Sequence, residues 1–146
     1  METQDPHTTL DETGAVRVME CAIVTPEATV LQTPAQFIAL PLFDGEIGIG
    51  PGHAPMIGRL GQGEMRLTEG DRTLRYFVEG GFVQIAGNNI SILTSRAIPA
   101  EEIDPAVADE MLASALAKQA YGDDELAIRE RNVTQARAMK RVAAKN

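Results

Sequence analysis

Apolar and polar residues alternate with period two along most of the chain before Pro99, and the alternation stops there. Val16, Val18, Ala22 and Val24 share one face of a candidate strand. Leu74, Tyr76 and Val78 alternate with Arg75, Phe77 and Glu79. Val83 and Ile85 alternate with Phe82, Gln84 and Ala86, and Ile90 and Ile92 with Asn89 and Ser91. Alternation over such lengths predicts half-buried strands. Turn signals separate them at Glu69-Gly70-Asp71, Gly80-Gly81 and Gly87-Asn88-Asn89. Short strands joined by tight turns predict an antiparallel sandwich or barrel, not a parallel sheet with crossover helices.

Beyond Pro99 the period becomes helical. Glycine falls to Gly122 alone, and alanine becomes abundant. Asp104 is placed to cap a helix whose first residue is Pro105, where proline loses no needed hydrogen bond. Val107, Met111, Leu112, Ala115 and Leu116 recur at helical spacing. Tyr121-Gly122-Asp123-Asp124 stops that helix and starts a second, which runs through Leu126, Val133, Ala136 and Met139. Each helix is expected to span about 17 to 22 residues. The apolar stripe is thin, so the hairpin should dock weakly. The predicted architecture is β + α: an N-terminal antiparallel β-sandwich over 16–98 followed by a C-terminal two-helix antiparallel hairpin over 99–146. Residues 1–15 are expected to be a flexible acidic leader.

The bulk composition narrows the function classes. The 146 residues suffice for one core-bearing domain with an appendage, and 44% hydrophobic content excludes a wholly disordered chain. No apolar run is long enough to cross a bilayer. Met1 to Gly14 is polar and acidic, which reads as neither a signal nor a transit peptide. The lone Cys21 suits a reducing compartment. A formal net charge of -8 argues against nucleic acid and for protein partners. The charge is also polarised. Through Ile98 there are six basic against twelve acidic residues, whereas Leu126 to Asn146 carries six basic residues and the single acid Glu130. An acidic body thus bears a basic tail, either a solvated helix face or a docking element for an acidic surface.

Catalytic chemistry finds little support. Seven of the 13 glycines fall between Asp44 and Gly63. A phosphate cradle is disfavoured there: no Lys-Ser or Lys-Thr follows, and Pro51 and Pro55 remove two N–H donors. The glycines instead suit sharp turns and close backbone approach at a contact surface. Cys21, His53 and a carboxylate could form a nucleophile set only by chance, because a thiol on an apolar strand is more often simply buried. His53 has no nearby Cys or His partner for a metal, and His7 lies in the leader.

The segments DGEIGIGPGHAPMIGRLGQGEMRL (Asp44 to Leu67) and YFVEGGFVQIAGNNISILTSRAI (Tyr76 to Ile98) resemble the epsilon subunits of bacterial F-type ATP synthases. The Pro-Gly-His-Ala-Pro core is the specific part, and the likeness runs from about Arg17 to the end. The resemblance implies the same two-part fold and a non-catalytic central-stalk (rotor) subunit of a proton-translocating ATP synthase. In such a subunit the sandwich binds gamma and the membrane rotor ring of c subunits, which couples proton flow to ATP synthesis. The hairpin folds down on the sandwich or extends toward the alpha and beta subunits of the catalytic head and inhibits ATP hydrolysis. It implies a peripheral seat on the cytoplasmic face of the bacterial plasma (inner) membrane.

By residue, the resemblance implies a ring-facing loop from Asp44 to Pro55, with Glu46, Gly50, Pro51, Gly52 and His53 as contacts. It implies an inhibitory tail of Arg129, Arg131, Arg137, Lys140 and Arg141. The ATP-binding motif of some relatives, Ile-Asp-x-x-Arg-Ala, reads here Ile103-Asp104-Pro105-Ala106-Val107-Ala108. Val107 cannot pair with phosphate. Ile103, Asp104, Arg137 and Arg141 remain only as candidate weak nucleotide contacts, and no cofactor is expected. A stand-alone β-sandwich interaction adaptor is the alternative class, distinguished by co-purification with gamma.

Overall fold

The computed structural model describes residues Leu10 to Lys145. Ten strands build two five-stranded sheets. In chain order they are β1 (Met19–Val24), β2 (Thr29–Ala35), β3 (Phe37–Leu42), β4 (Gly45–Ile49), β5 (Met56–Arg59), β6 (Gln62–Glu69), β7 (Arg72–Glu79), β8 (Phe82–Ala86), β9 (Asn89–Leu93) and β10 (Ala97–Pro99). The first sheet has the order β2-β1-β9-β8-β5 and the second β10-β7-β6-β3-β4. Neighbouring strands run antiparallel except β1 and β9, which are parallel. Local turns predict the hairpins. They say nothing of β1 and β9, which most of the sandwich separates in sequence.

The two sheets close on one core of Met19, Cys21, Ile23, Ile38, Leu40, Ile49, Met65, Leu67, Val78, Val83, Ile85, Ile90 and Ile92. The alternation in β8 and β9 is as expected. In β1 it is reversed. Met19, Cys21 and Ile23 point inward, while Val16 and Val18 are exposed and Ala22 and Val24 lie on the outer face with Glu20. Both parities of this segment are apolar, so only pairing with β2 and β9 selects the buried face. In β7 the inward parity is as expected, yet Phe77 on the other face is also fully buried. It lies beneath the helices, in a second cluster with Ala100, Ile103, Ala108, Ala138, Met139, Val142 and Ala143.

A single 3-10 turn, Ala100–Glu102, leads into α1 (Pro105–Ala117) and α2 (Asp123–Ala144). Asp104 caps α1 by accepting from Ala106 N–H at 2.9 Å. α1 has 13 residues, fewer than expected, and ends before Tyr121-Gly122. Its buried positions are Ala108 and Ala115, whereas Val107 and Leu116 face solvent. In α2, Val133, Ala136 and Met139 are buried as expected, but Leu126 is exposed. The reason is geometric: α2 meets the sandwich through its C-terminal half, and its first turns pack on α1 alone or on nothing. In the leader, Asp11 Oδ1 accepts from Thr13 N–H at 2.8 Å and Ala15 N–H at 3.0 Å, closing a turn that bridges Leu10 to Val16. His7 lies outside the described residues.

Candidate functional site

The outer faces of the two sheets differ. α2 lies across the second sheet, chiefly over β6. The outer face of the first sheet carries no covering element among the described residues. Directly opposed residues share a face. The register pairs Val24 with Leu93, Leu93 with Phe82, and Phe82 with Arg59, which sets these four side chains in one row. The next row holds Ala22, Ser91, Gln84 and Ile57. Leu93 is 46% exposed, Phe82 54% and Ile57 72%. Beside them Phe43, 69% exposed, lies under the Arg59 guanidinium at 4.6 Å. In a chain with net charge -8, these two rows carry one charged side chain, Arg59. Large exposed apolar side chains gathered this closely suit a protein contact, with Ser91 and Gln84 as the polar positions among them. The sequence carries one signal for this face: Phe82 is a large aromatic at the polar parity of its strand.

The ring-facing segment divides. Gly45–Ile49 is the edge strand β4, not loop. Its glycines permit the strand rather than break it: at Gly48 a Cβ would sit 2.9 Å from the Phe37 ring. Glu46, near the start of β4, pairs with Arg66 at 3.1 Å. Gly50, Pro51, Gly52 and His53 form the turn at the other end, about 13 Å of strand away. There His53 N–H donates to Gly50 C=O at 3.2 Å, and Gly52, at φ +82°, donates to Asn88 Oδ1 at 3.3 Å. His53 Nδ1 donates to Ala54 C=O at 2.8 Å. The turn thus abuts the β8–β9 hairpin, and Glu46 belongs to the face beneath α2.

The tail residues also divide. Arg129 donates to Lys118 C=O at 3.1 Å and Leu116 C=O at 3.0 Å, capping the end of α1. Lys140 pairs with Asp109 at 2.9 Å. Arg131 borders a cleft with Phe43, Arg59, Gly80 and Gly81 at one end of the sandwich. Arg141 borders another, of about 430 Å³, with Glu46, Glu64, Arg66 and Lys145. Arg137 is exposed. Of the candidate nucleotide contacts, Ile103 is buried in the helix–sandwich cluster and Asp104 is spent on its cap. No described hydrogen bond or ion pair joins Asp104 to Arg137 or Arg141.

Burial pushes the Cys21 thiol up to about 12, with a smaller contribution from Glu20. A neutral thiol with no solvent access is no nucleophile. The shift has a consequence for stability. Between the ordinary thiol range near pH 8.5 and about pH 12, the unfolded chain loses a proton that the folded chain keeps. Stability should therefore fall with rising pH in that window, by up to about 1.4 kcal/mol per unit. Urea unfolding of wild type and Cys21→Ala at a series of pH values checks this; the variant should lack that component of the slope. Among the described residues no cluster of three or more His, Cys, Asp or Glu could hold a metal, and no helix is long and apolar enough to cross a membrane.

Comparison with known proteins places the chain in a family. Residues 18–100 match the family model for the ATP synthase, Delta/Epsilon chain, beta-sandwich domain. The ATP synthase epsilon chain of Rhodopirellula baltica is 43% identical over 125 residues, 86% of this chain and 98% of that one. The epsilon chain of Fuscovulum blasticum is 32% identical over 121 residues, 83% and 92% of the two. Against the Synechococcus relative the match spans 66% of its length. A chain of the Euglena gracilis mitochondrial ATP synthase superimposes with TM-score 0.79 at 23% identity, covering 99% of this chain and 91% of that one. That last likeness speaks for the fold, helices included, and the sequence matches for the family: the chain belongs to the epsilon chains of ATP synthases.

Proposed function

We propose that the chain is the non-catalytic central-stalk subunit that joins gamma to the membrane rotor ring, couples proton transport to ATP synthesis, and restrains hydrolysis through its helices. The observation that carries the reading is the uncovered apolar face of the first sheet. A free-standing acidic protein has no use for Phe82, Ile57, Leu93 and Phe43 in solvent, whereas a permanently assembled subunit buries them. Gamma is assigned to this face. The ring is assigned to the Gly50–His53 turn at the end of the sandwich, with Glu46 at the far end of β4 as the outlying contact. The seat is peripheral, on the cytoplasmic face of the inner membrane, and the catalytic-head subunits meet the chain through the hairpin.

The test is capture by purified gamma. Wild type and a chain ending at Ile98 should bind, because the face lies wholly in the sandwich. The double variant Ile57→Asp/Phe82→Asp should lose about 100-fold in affinity, since each substitution places a charge in an apolar contact. Its melting temperature should be unchanged, because both positions are exposed. Wild-type binding by the variant would remove the assignment of the face. Failure of the wild type to bind gamma would favour the stand-alone adaptor. His53→Ala supplies the arm for the ring: it should bind gamma normally and lower proton-driven synthesis in the assembled enzyme. A fall in its melting temperature would instead make His53 structural.

A further inference from the structure

The face beneath α2 carries charges in an arrangement that the sandwich alone does not need. β6 and β7 set Arg66 and Arg75 directly opposite each other. Two like charges so placed repel. Glu64 compensates them. It accepts from Arg75 through Nε at 3.1 Å and Nη2 at 2.7 Å, with Arg66 Nη1 at 3.7 Å and Lys145 Nζ at 3.8 Å. The Glu64 side chain is only 10% exposed and that of Arg75 21%. Arg75 Nη2 also donates to the Val142 carbonyl at 2.9 Å, in the last turn of α2. Carbonyls at a helix C-terminus are short of intrahelical donors, and a cation there is favoured by the helix dipole. A strand of the sandwich therefore supplies a cap for the last helix, and Glu64 fixes its direction.

The geometry points to a clamp: Glu64 orients Arg75 onto the last turn of α2, and this contact holds the hairpin on the sandwich until it opens. The apolar part of the seat consists of Ala138, Met139, Val142 and Ala143 of α2 in one cluster with Phe77, Ile98 and Ile103. Met139 is the one large side chain that α2 contributes to it. With so little apolar area, charge-assisted hydrogen bonds at a partly buried carboxylate carry much of the hold. Lys145 ties α2 to the same carboxylate, so Glu64 faces cations from both partners. Lysine in place of Arg75 would keep the charge but lose the planar fork that serves Glu64 and Val142 together. Opening of the clamp thus becomes the event that frees the basic helix from its C-terminal end. The inference rests on reading the hairpin as releasable, but on no reading of what it meets once released.

Amide hydrogen exchange on the full-length chain tests it, with residues 138–143 of α2 read against strands β8 and β9 as reference. Glu64→Gln and Arg75→Lys should each speed exchange at 138–143 by about tenfold or more, with the reference strands unchanged. Raised salt should speed the wild type toward the variants and leave the variants little altered. Met139→Ala should speed exchange without gaining salt dependence, since it removes only apolar contact. Exchange at 138–143 within about twofold of wild type in both charge variants would overturn the clamp. Equal acceleration in the reference strands would overturn it too, because Glu64 and Arg75 would then hold the sandwich together rather than the hairpin down. Capture by gamma is a separate measurement, so failure of the stalk reading leaves this outcome legible.

Discussion

Alanine at Gly81 is expected to remove about 4 kcal/mol or more of stability, a large share of the roughly 5 to 15 kcal/mol that holds a domain folded. Here the chain crosses from β7 in the second sheet to β8 in the first, with Gly80 at φ +65° and Gly81 at φ +99°. A Cβ at Gly81 would lie 1.9 Å from the Leu93 carbonyl oxygen and 2.9 Å from Thr94 Cα. Both are backbone atoms, so no side-chain rotation relieves the overlap. The neighbouring bonds leave no room to move. Leu60 N–H donates to Gly81 C=O at 2.8 Å, and Gly80 N–H to Gly61 C=O at 3.1 Å. Thr94 Oγ1 accepts from Glu79 N–H at 3.1 Å. The control is Gly87→Ala in the β8–β9 hairpin, where φ is +62° but the space for a Cβ is open. That variant should cost only about 1 to 2 kcal/mol of backbone strain. Urea unfolding decides, and equal small losses at both sites would show that the crossing adapts.

In the assembled enzyme, changing Arg131, Arg137 and Arg141 to alanine is expected to raise ATP hydrolysis severalfold and to flatten the salt dependence of inhibition. These three make no described ion pair within the folded chain, and under the proposed function they are the charges that an extended helix would carry to an acidic surface. Arg129 and Lys140 are different, because folded they cap α1 and pair with Asp109. Their loss weakens both states of the hairpin, so the pair Arg129→Ala/Lys140→Ala should change hydrolysis less than the triple variant. Each exposed pair contributes only about 0.2 to 1 kcal/mol, but three together can shift a two-state element whose states differ by a few kcal/mol. Hydrolysis unchanged by the triple variant, with gamma binding intact, would make the tail a solvated helix face. Val107 points to solvent and offers no charge to a phosphate, so inhibition should owe little to nucleotide bound by this chain.

How far the sequence could be read varies with the range of the interaction. The strands β7 to β9 and the glycine turns that bound them were legible, because a two-residue period and a tight turn are local facts. The cap at Asp104 was legible for the same reason. The inward face of β1 was not, since Val18, Ala22 and Val24 compete with Met19, Cys21 and Ile23 on equal hydrophobicity. Leu126, Val107 and Leu116 fit helical periodicity yet remain exposed, because periodicity gives a face and not the reach of the partner that covers it. Of the candidate contacts, Glu46 and His53 looked adjacent in one glycine-rich stretch, and β4 separates them.

The sequence by itself determined a β body, a helical tail, the break near Pro99, the acidic–basic polarity and a family signature around Pro51 to Pro55. All of these are encoded in neighbours along the chain, where spacing and composition act directly. Tertiary structure alone decided that β1 joins β9 in parallel, that Phe77 lies under the helices, and that Leu93, Phe82, Ile57 and Phe43 gather on one open face. It alone brought Glu64 and Arg75 to the end of α2, 67 residues from Arg75 to Val142. Such contacts depend on strand register and helix placement. A shift of one residue moves a strand side chain to the opposite face and turns a helix side chain by about 100°, and no local pattern records which choice the packing makes.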